Sequence, residues 1–244
     1  MVPTRRIALQ AWARGGKLNR TFSLLDSLGK AIVTGQFDSQ TFPTEADLAC
    51  RHAVSRSVTS EAVKMLRAKG LLTARPRTGT IVQPPASWNL FDPDVLRWLL
   101  ERKFSLELLR HFTELRIAIE PAAAALAAQA ATEAEVAEIR LGYERMEAAE
   151  ATHDGLLEAD IAFHLAILRA SGNPFYAQFQ NTVSTALRTS IRFTNRLEAR
   201  TASLPQHAAV IRTIEAREPD LAQQAMFKLI NDVRALMTGP EGMN

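Results

Sequence analysis

The stretch PTEADLACRHAVSRSVTSEAVKMLRAKGLLTARPRTGTIV, residues 43–82, decides the fold of the first third of this chain. It opens with Pro43 and Thr44, and a Thr hydroxyl at this point can cap the first turn of a short helix. The run AVSRSVTSEAVKMLRAKG then predicts a turn and a second helix, which ends where Gly70 follows Lys69. Two helices joined by so short a turn are typical of a helix-turn-helix.

The patterns on either side of this helix pair complete a winged helix-turn-helix. A helical period of leucine and isoleucine begins at Phe22 and ends at Gly35. After the second helix the period changes to two short β-type stretches, residues 71–74 and 80–82, around a turn. Three helices followed by a two-stranded ribbon is the element order of a winged helix-turn-helix.

After Asp92 the sequence predicts helices only. A capping box from Thr132 to Glu135 starts one of them, and Pro121 predicts a kink or break near residues 118–120 of the longest. We therefore predict a mainly α protein, in which an N-terminal winged helix-turn-helix domain is followed by an all-α helical bundle. The predicted divisions are a flexible basic arm (1–20), the winged helix-turn-helix (21–84), a linker (85–91) and a helical domain for effector binding and dimerisation (92–238).

Charge is divided unevenly along the chain. Residues 1–85 hold 13 Lys and Arg against 5 Asp and Glu, a net charge of +8, whereas the remainder holds 16 basic and 21 acidic residues, a net charge of −5. A basic first third suggests that this part alone meets a polyanion, although a solvated basic tail would have the same composition. The single cysteine, Cys50, excludes an internal disulfide. With no long apolar run, the sequence predicts a cytoplasmic protein without a membrane span.

A helix-turn-helix places the first residues of its second helix against base edges in the major groove. An arginine at that position can bind guanine through two hydrogen bonds, and hydroxyls suit phosphates or bases. Glycine at the ribbon tip permits close approach to the DNA backbone. A solvated basic helix and a protein-contact module are alternatives, but the charge of +8 favours double-stranded DNA. The candidate DNA contacts are Thr44, Glu45, Ser55, Arg56, Ser57, Thr59, Lys64, Arg75, Arg77 and Gly79.

The same stretch resembles the amino-terminal domain of the GntR family of transcription regulators. The resemblance rests on the proline-acidic helix start, the Val-Ser-Arg turn, the Leu-Arg-x-x-Gly-Leu helix end and the Gly-Thr wing. At one position the chain departs from the family, since Ser60 replaces a second arginine of the recognition helix; Lys64 can compensate. One such domain makes few contacts, so we predict a homodimer on a two-fold related operator.

The helical remainder resembles the FadR-type (FCD) effector domain of the same family. This implies a transcription regulator, not an enzyme, which binds a small carboxylate effector. The stretch SWNLFDPDVLRWLLE, residues 87–101, is similar to family members that control sugar-acid catabolism. The resemblance to the effector domain rests on ELRIAIEPAAAALAA (114–128), DIAFHLAIL (160–168), SGNPF (171–175) and QHAAVIRTIEAREPDLAQQAM (206–226).

Asp160 and His164 lie one helical turn apart within an apolar run, so they share one helix face. Burial of such a pair requires partners, and the spacing alone favours a core hydrogen bond between the two over a metal site. The resemblance implies a divalent metal ion, of the zinc, nickel or manganese type. His207 matches a third ligand position, and Asn231 stands at or near a fourth that is usually histidine. The remaining coordination positions would be open to a ligand.

Arg116 and Glu120 have the spacing of an ordinary surface ion pair. The resemblance implies instead that this arginine faces the ligand cavity, where a guanidinium suits a carboxylate. Asn173 is more simply interpreted as a helix cap or turn residue than as an effector ligand. The candidate effector-binding residues are Arg116, Glu120, Asn173, Arg188 and Arg192.

We expect the effector to be a sugar acid of the galactonate kind, with gluconate, a hexuronate, lactate and a fatty-acid derivative as alternatives. We expect the ligand-free protein to be a repressor that the ligand releases from DNA, by changing the placement of the two winged helices through residues 83–90. A metal-dependent enzyme is a remote alternative, because no second catalytic set accompanies the histidines.

Overall fold

The predicted helices and ribbon form in the computed structural model, which describes residues 4–38, 41–76, 78–102, 106–149, 153–188 and 203–238. The chain divides into two units, Met1–Lys103 and Phe104–Asn244. The first unit is a winged helix-turn-helix, as predicted. Its elements are α1 (Thr4–Val33), α2 (Glu45–Arg51), α3 (Arg56–Ala68), β1 (Leu72–Arg75), β2 (Gly79–Val82) and α4 (Pro93–Arg102).

Side chains cap both helices of the helix-turn-helix. Thr44 is the N-cap of α2, as predicted, and its hydroxyl accepts the backbone N–H of Asp47 while the Asp47 carboxylate accepts the N–H of Thr44. Ser55 caps α3 in the same way through the N–H of Val58. Gly70, expected at the C-terminal end of α3, directly follows the C-cap residue Lys69 and has φ +80°, a left-handed conformation that glycine adopts without steric cost. Local signals therefore fix where α2 begins and where α3 begins and ends.

The first helix is longer than the sequence predicted. Residues 1–20 were expected to be a flexible arm, but α1 begins at Thr4 and continues through Gly15 and Gly16. Each glycine costs a helix about 1 kcal/mol relative to alanine. The alanine, leucine and arginine residues on either side are strong helix formers, so the two glycines do not end the helix.

The predicted linker, residues 85–91, is packed onto the first unit. The Trp88 indole donates to the carbonyl of Gln83 at 2.9 Å, and the ring lies against the core. Lys69 forms ion pairs with Asp92 and Asp94, at 2.7 and 2.9 Å. Trp98, predicted to lie in the helical domain, is buried in this core and donates from Nε1 to Asp26 in α1 at 2.8 Å. The division between the units therefore follows α4 instead of preceding it.

The second unit is a helical bundle, as predicted. No described helix is long and apolar enough to cross a membrane. Long helix α5 packs chiefly against α11, and also against α7 and α10. The elements are α5 (Leu106–Ala130), α6 (Glu133–Ala148), α7 (His153–Ala170), α8 (Pro174–Gln178), α9 (180–188), α10 (Leu204–Glu215) and α11 (Pro219–Thr238).

Helix α5 runs through Pro121 without the break that this residue predicted. A proline inside a helix removes one backbone hydrogen bond and clashes with the preceding turn. The buried stripe around it includes Ala123, Ala124, Ala127 and Ala128, whose small side chains let neighbouring helices approach closely. Packing on both sides of α5 therefore outweighs the local penalty.

The backbones of α6 and α7 nearly touch at Gly142. A Cβ atom at this position would lie 2.9 Å from Cα and 3.0 Å from the backbone nitrogen of Phe163. Phe163 directly precedes His164, so this close approach sets the position of the part of α7 that carries the buried histidine.

We predict that Gly142→Ala lowers the stability of the second unit by about 1–3 kcal/mol, because the added methyl group must push α7 away. At an exposed helix position, the change from glycine to alanine would raise the free energy of unfolding by about 1 kcal/mol. The sign of the change in stability therefore distinguishes a close helix contact from an open position. Thermal or urea unfolding measures it. Leu141→Ala, at the exposed neighbouring position, is the control and should change stability little. A Gly142→Ala protein as stable as the parent would contradict the close approach.

Candidate functional site

The N-terminal end of α3 presents polar side chains to solvent. Ser55, Arg56 and Ser57 are exposed, and the hydroxyls of Ser55 and Ser57 lie 2.9 Å apart. Lys64 is also exposed and is 3.8 Å from Glu61, a loose ion pair one turn of helix away. An exposed guanidinium and exposed hydroxyls at the start of a second helix form the face that a helix-turn-helix turns toward DNA.

Thr59, one of the predicted DNA contacts, lies on the opposite face. Its side chain is fully buried, and its hydroxyl donates to the carbonyl of Ser55 at 3.3 Å. Val63 and Leu66 follow it along the helix and are buried as well, which puts Thr59 in the core-facing stripe of α3. Thr59 therefore has no free surface with which to contact DNA.

The ribbon tip and the start of α2 hold the remaining candidates. Arg75 and Gly79 pair across the antiparallel ribbon and are both exposed. Gly79 has φ +82° and no heavy atom within 4 Å of the place where a Cβ would stand. Thr44 is exposed and Glu45 half-buried, but the Thr44 hydroxyl is already engaged with Asp47. Arg77 lies outside the described residues.

One residue that links the recognition helix to the wing was not predicted. Arg67, near the end of α3, donates from Nη2 to the hydroxyl of Thr80 in β2 at 3.0 Å. The contact spans 13 residues of sequence, and in the sequence Arg67 stands out only as the arginine of the Leu-Arg-x-x-Gly-Leu helix end. It fixes the ribbon relative to the recognition helix.

The second unit contains a buried cluster of one carboxylate and two imidazoles. Asp160 and His164 project from α7, and His207 projects from the first turn of α10. The Asp160 Oδ1 atom lies 3.0 Å from His207 Nε2 and 3.3 Å from His164 Nε2. All three side chains are buried, and one ligand atom from each lies within 4.8 Å of the other two. The structure thus brings together the three residues that the sequence singled out.

The Nδ1 atom of each histidine has, as its nearest hydrogen-bond partner, a group that can only accept. His207 Nδ1 lies 2.9 Å from the carbonyl oxygen of Ser203, and His164 Nδ1 lies 2.7 Å from Glu120 Oε2. Each Nδ1 must therefore carry a hydrogen and donate it. Both Nε2 atoms then face Asp160, where two lone pairs would repel a carboxylate unless protons or a cation lie between them. The donor set therefore fits a cation at this point.

Arg116 and Glu120 of α5 form a further part of this cluster, directly behind His164. Arg116 donates to Glu120 from Nε at 2.5 Å and from Nη2 at 3.2 Å. Its Nη2 atom also lies 3.4 Å from both ring nitrogens of His164. Exposed fractions of 5% and 1% show that this pair is buried, unlike an ordinary surface ion pair.

Neighbouring charges and hydrogen bonds favour the ionised forms of Glu120, Asp160 and His164 despite their burial. Burial favours a raised pKa for the Glu120 carboxyl, but the charges of Arg116 and His164 outweigh it and lower the pKa to about 2. Burial acts in the same direction on Asp160, whose pKa is nevertheless lowered by hydrogen bonds from His164 and His207. For His164, burial favours a lowered pKa, but Glu120 outweighs it and the pKa is raised.

The remaining candidates have other partners. The side-chain oxygen of Asn231, the candidate fourth metal ligand, accepts a hydrogen bond from Arg234 at 2.7 Å. Asn173 caps α8 through the N–H of Phe175, so it acts as the helix cap that the sequence allowed. Arg188 donates to Glu158 from Nη2 at 2.8 Å. Arg192 lies outside the described residues.

Each of the two units contains a region that matches a known protein family. Residues 23–82 match the gntR family of bacterial regulatory proteins, and residues 111–232 match the FCD domain. The chain is 33% identical to the galactonate operon transcriptional repressor of Escherichia coli (strain K12), over 87% of this chain and 94% of that protein. It is 31% identical to the uncharacterized HTH-type transcriptional regulator YieP of the same strain, over 91% of this chain and 97% of that protein.

A solved structure shows the same fold at lower identity. It is that of Lar, which controls the expression of the Listeria monocytogenes agr system, with a TM-score of 0.54 and 16% identity over 88% of this chain and 94% of that chain. The matches span the winged helix and the helical bundle together. The chain therefore belongs to the gntR family of bacterial transcription regulators, as a DNA-binding regulator with an FCD domain and not as an enzyme.

Proposed function

We propose that this regulator is a homodimeric repressor of sugar-acid catabolism, which a carboxylate effector of the galactonate kind releases from operator DNA. The observation that carries the proposal is the buried cluster of Asp160, His164 and His207, with Arg116 and Glu120 behind it. The 33% identity to a galactonate operon repressor supports the choice of effector. Because operator DNA lies in the bacterial cytoplasm, we place the protein there.

The donor set suits a divalent ion of the zinc, nickel or manganese type. One carboxylate and two imidazoles are borderline ligands that such ions accept, and the inward-facing Nε2 atoms and Oδ1 have the right polarity. When bound, such an ion supplies positive charge and open coordination positions for a carboxylate and the hydroxyl beside it. The side-chain oxygen of Asn231 joins the metal ligands only if its hydrogen bond with Arg234 breaks.

The charge balance of the cluster favours an anionic effector. When both imidazoles are neutral, as metal binding requires, Asp160, Glu120 and Arg116 carry a net charge of −1, so an anion would be repelled. A divalent cation changes this charge to +1, and one carboxylate then brings it to zero. Since unpaired buried charge is costly, effector binding should require the metal. The guanidinium of Arg116, which donates to Glu120 from Nε and Nη2, is suited to bind the outer carboxylate oxygen through Nη1.

For DNA, we predict that Arg56→Ala weakens binding to the operator by about 1–3 kcal/mol and weakens binding to random DNA far less. The reason is that Arg56 is exposed at the start of α3, where a side chain can reach base edges. Arg75→Ala in the wing should weaken both about equally, since a backbone contact does not read sequence. Gel shifts on the protein's own upstream region at fixed salt measure both. Equal losses on the two DNAs for Arg56→Ala would remove this residue from base readout.

For the effector, we predict that galactonate releases the protein from its operator. By linkage, operator DNA must then weaken galactonate binding by the same factor. Calorimetry with and without operator measures this factor, and gluconate, a hexuronate, lactate and a fatty acyl-CoA are the comparison ligands. Equal galactonate affinity in both states would contradict the coupling, and release by lactate or acyl-CoA alone would contradict the sugar-acid assignment.

For the metal, we predict that the purified protein holds about one divalent ion per chain and that chelation abolishes the response to galactonate. His164→Ala should lose both the ion and the response. His111→Ala, an exposed histidine of the same unit, is the matched control and should keep both. Elemental analysis and thermal shift measure these effects. A metal-free protein whose melting and galactonate response are unchanged by zinc, nickel or manganese would contradict the metal site.

A further inference from the structure

We propose that Glu120, clamped by Arg116, is a positioning residue that fixes the tautomer of His164 and so presents Nε2 to the metal. This inference rests on the metal site of the proposed function. The sequence placed both residues among the effector ligands. In the structure, Glu120 contacts His164, a candidate metal ligand, so its role is to hold that ligand and not to bind the effector itself.

The geometry at His164 supports the assignment. Glu120 Oε2 lies 2.7 Å from Nδ1, whereas Nε2 lies 3.3 Å from Asp160 Oδ1 on the other side of the ring. A carboxylate that stays ionised can only accept, so Nδ1 holds a hydrogen; in the neutral imidazole that a metal requires, the Nε2 lone pair then points toward Asp160. A metal-bound imidazole that donates its other N–H to a carboxylate is a more basic ligand and is held in one orientation.

Arg116 keeps Glu120 in the required position. Nε and Nη2 of Arg116 reach different oxygens of Glu120, at 2.5 and 3.2 Å, and a two-point contact of this kind fixes both the place and the plane of the carboxylate. Burial prevents water from replacing these contacts. Helix α5 carries both Arg116 and Glu120, and α7 carries His164. Residues of one helix therefore hold the metal-binding side chain of its neighbour in place.

The two histidines differ in this respect. His207 Nδ1 donates to the uncharged backbone carbonyl of Ser203 within its own helix turn, whereas His164 Nδ1 donates to a charged side chain 44 positions earlier in the sequence. Removal of the Glu120 charge should therefore weaken metal binding through His164 and leave His207 unaffected.

The test uses Glu120→Gln in the full-length protein, with Co²⁺ as the probe. Glutamine has the same shape and can still accept the Nδ1 hydrogen, but it lacks the charge. We expect Co²⁺ affinity about 10- to 100-fold below that of the parent, with about one ion still bound per chain at saturation. Glu158→Gln is the matched control, since Glu158 forms an exposed ion pair with Arg188. That variant should bind Co²⁺ as the parent does.

A second measurement needs no variant. Nitrogen-15 NMR of the parent protein with Zn²⁺ should show His164 protonated at Nδ1 and metal-bound at Nε2. The opposite tautomer would overturn the inference, even if Glu120→Gln failed to fold. Unchanged Co²⁺ affinity in Glu120→Gln beside a parent that binds Co²⁺ would also overturn it, and would leave the metal site intact. A parent that binds neither ion would overturn the metal site and this inference together.

Discussion

The second unit depends on one constraint, which is that the carboxylate of Asp160 is buried and must find partners there. Its oxygen faces two imidazole nitrogens from different helices, and one of those imidazoles is held in turn by Glu120 and Arg116. An uncompensated charge at this depth would cost several kcal/mol. The helices α5, α7 and α10 are therefore joined by polar contacts inside an otherwise apolar bundle, and the same contacts define the site.

The packing around the cluster is apolar and tight. The ring of Phe163 meets both histidine rings edge to face, with centroids 5.7 and 5.1 Å apart, and Gly142 lets α6 lie directly against the backbone at Phe163. A low local dielectric strengthens every charge interaction inside the cluster. A change of one charge here, by a metal ion or an effector, should therefore have a larger effect on the bundle than the same change at the surface.

Local signals in the sequence predicted most of the fold and part of the site. Thr44 and the capping box at Thr132 act within one helical turn, so their residues alone reveal them. The spacing of Asp160 and His164 predicted a shared helix face, and the family resemblance added His207. The contact of Glu120 with His164 spans 44 positions and depends on how α5 packs against α7. No periodicity in either helix contains that information, and the burial of Thr59 similarly depends on which face of α3 meets the core.

The packing of α4 bears on the predicted role of the segment that precedes it. Residues 83–90 were expected to carry the effect of the ligand to the winged helices. In the structure, Trp88 and Asn89 form hydrogen bonds with Gln83 and Lys69 of the first unit, and Lys69 forms ion pairs with Asp92 and Asp94. The ion pairs are largely buried on the Lys69 side, so separating them would leave a charge in the protein interior. The winged helix and α4 therefore form one packed unit, in which residues 83–90 are held by hydrogen bonds and lie next to the buried ion pairs of Lys69.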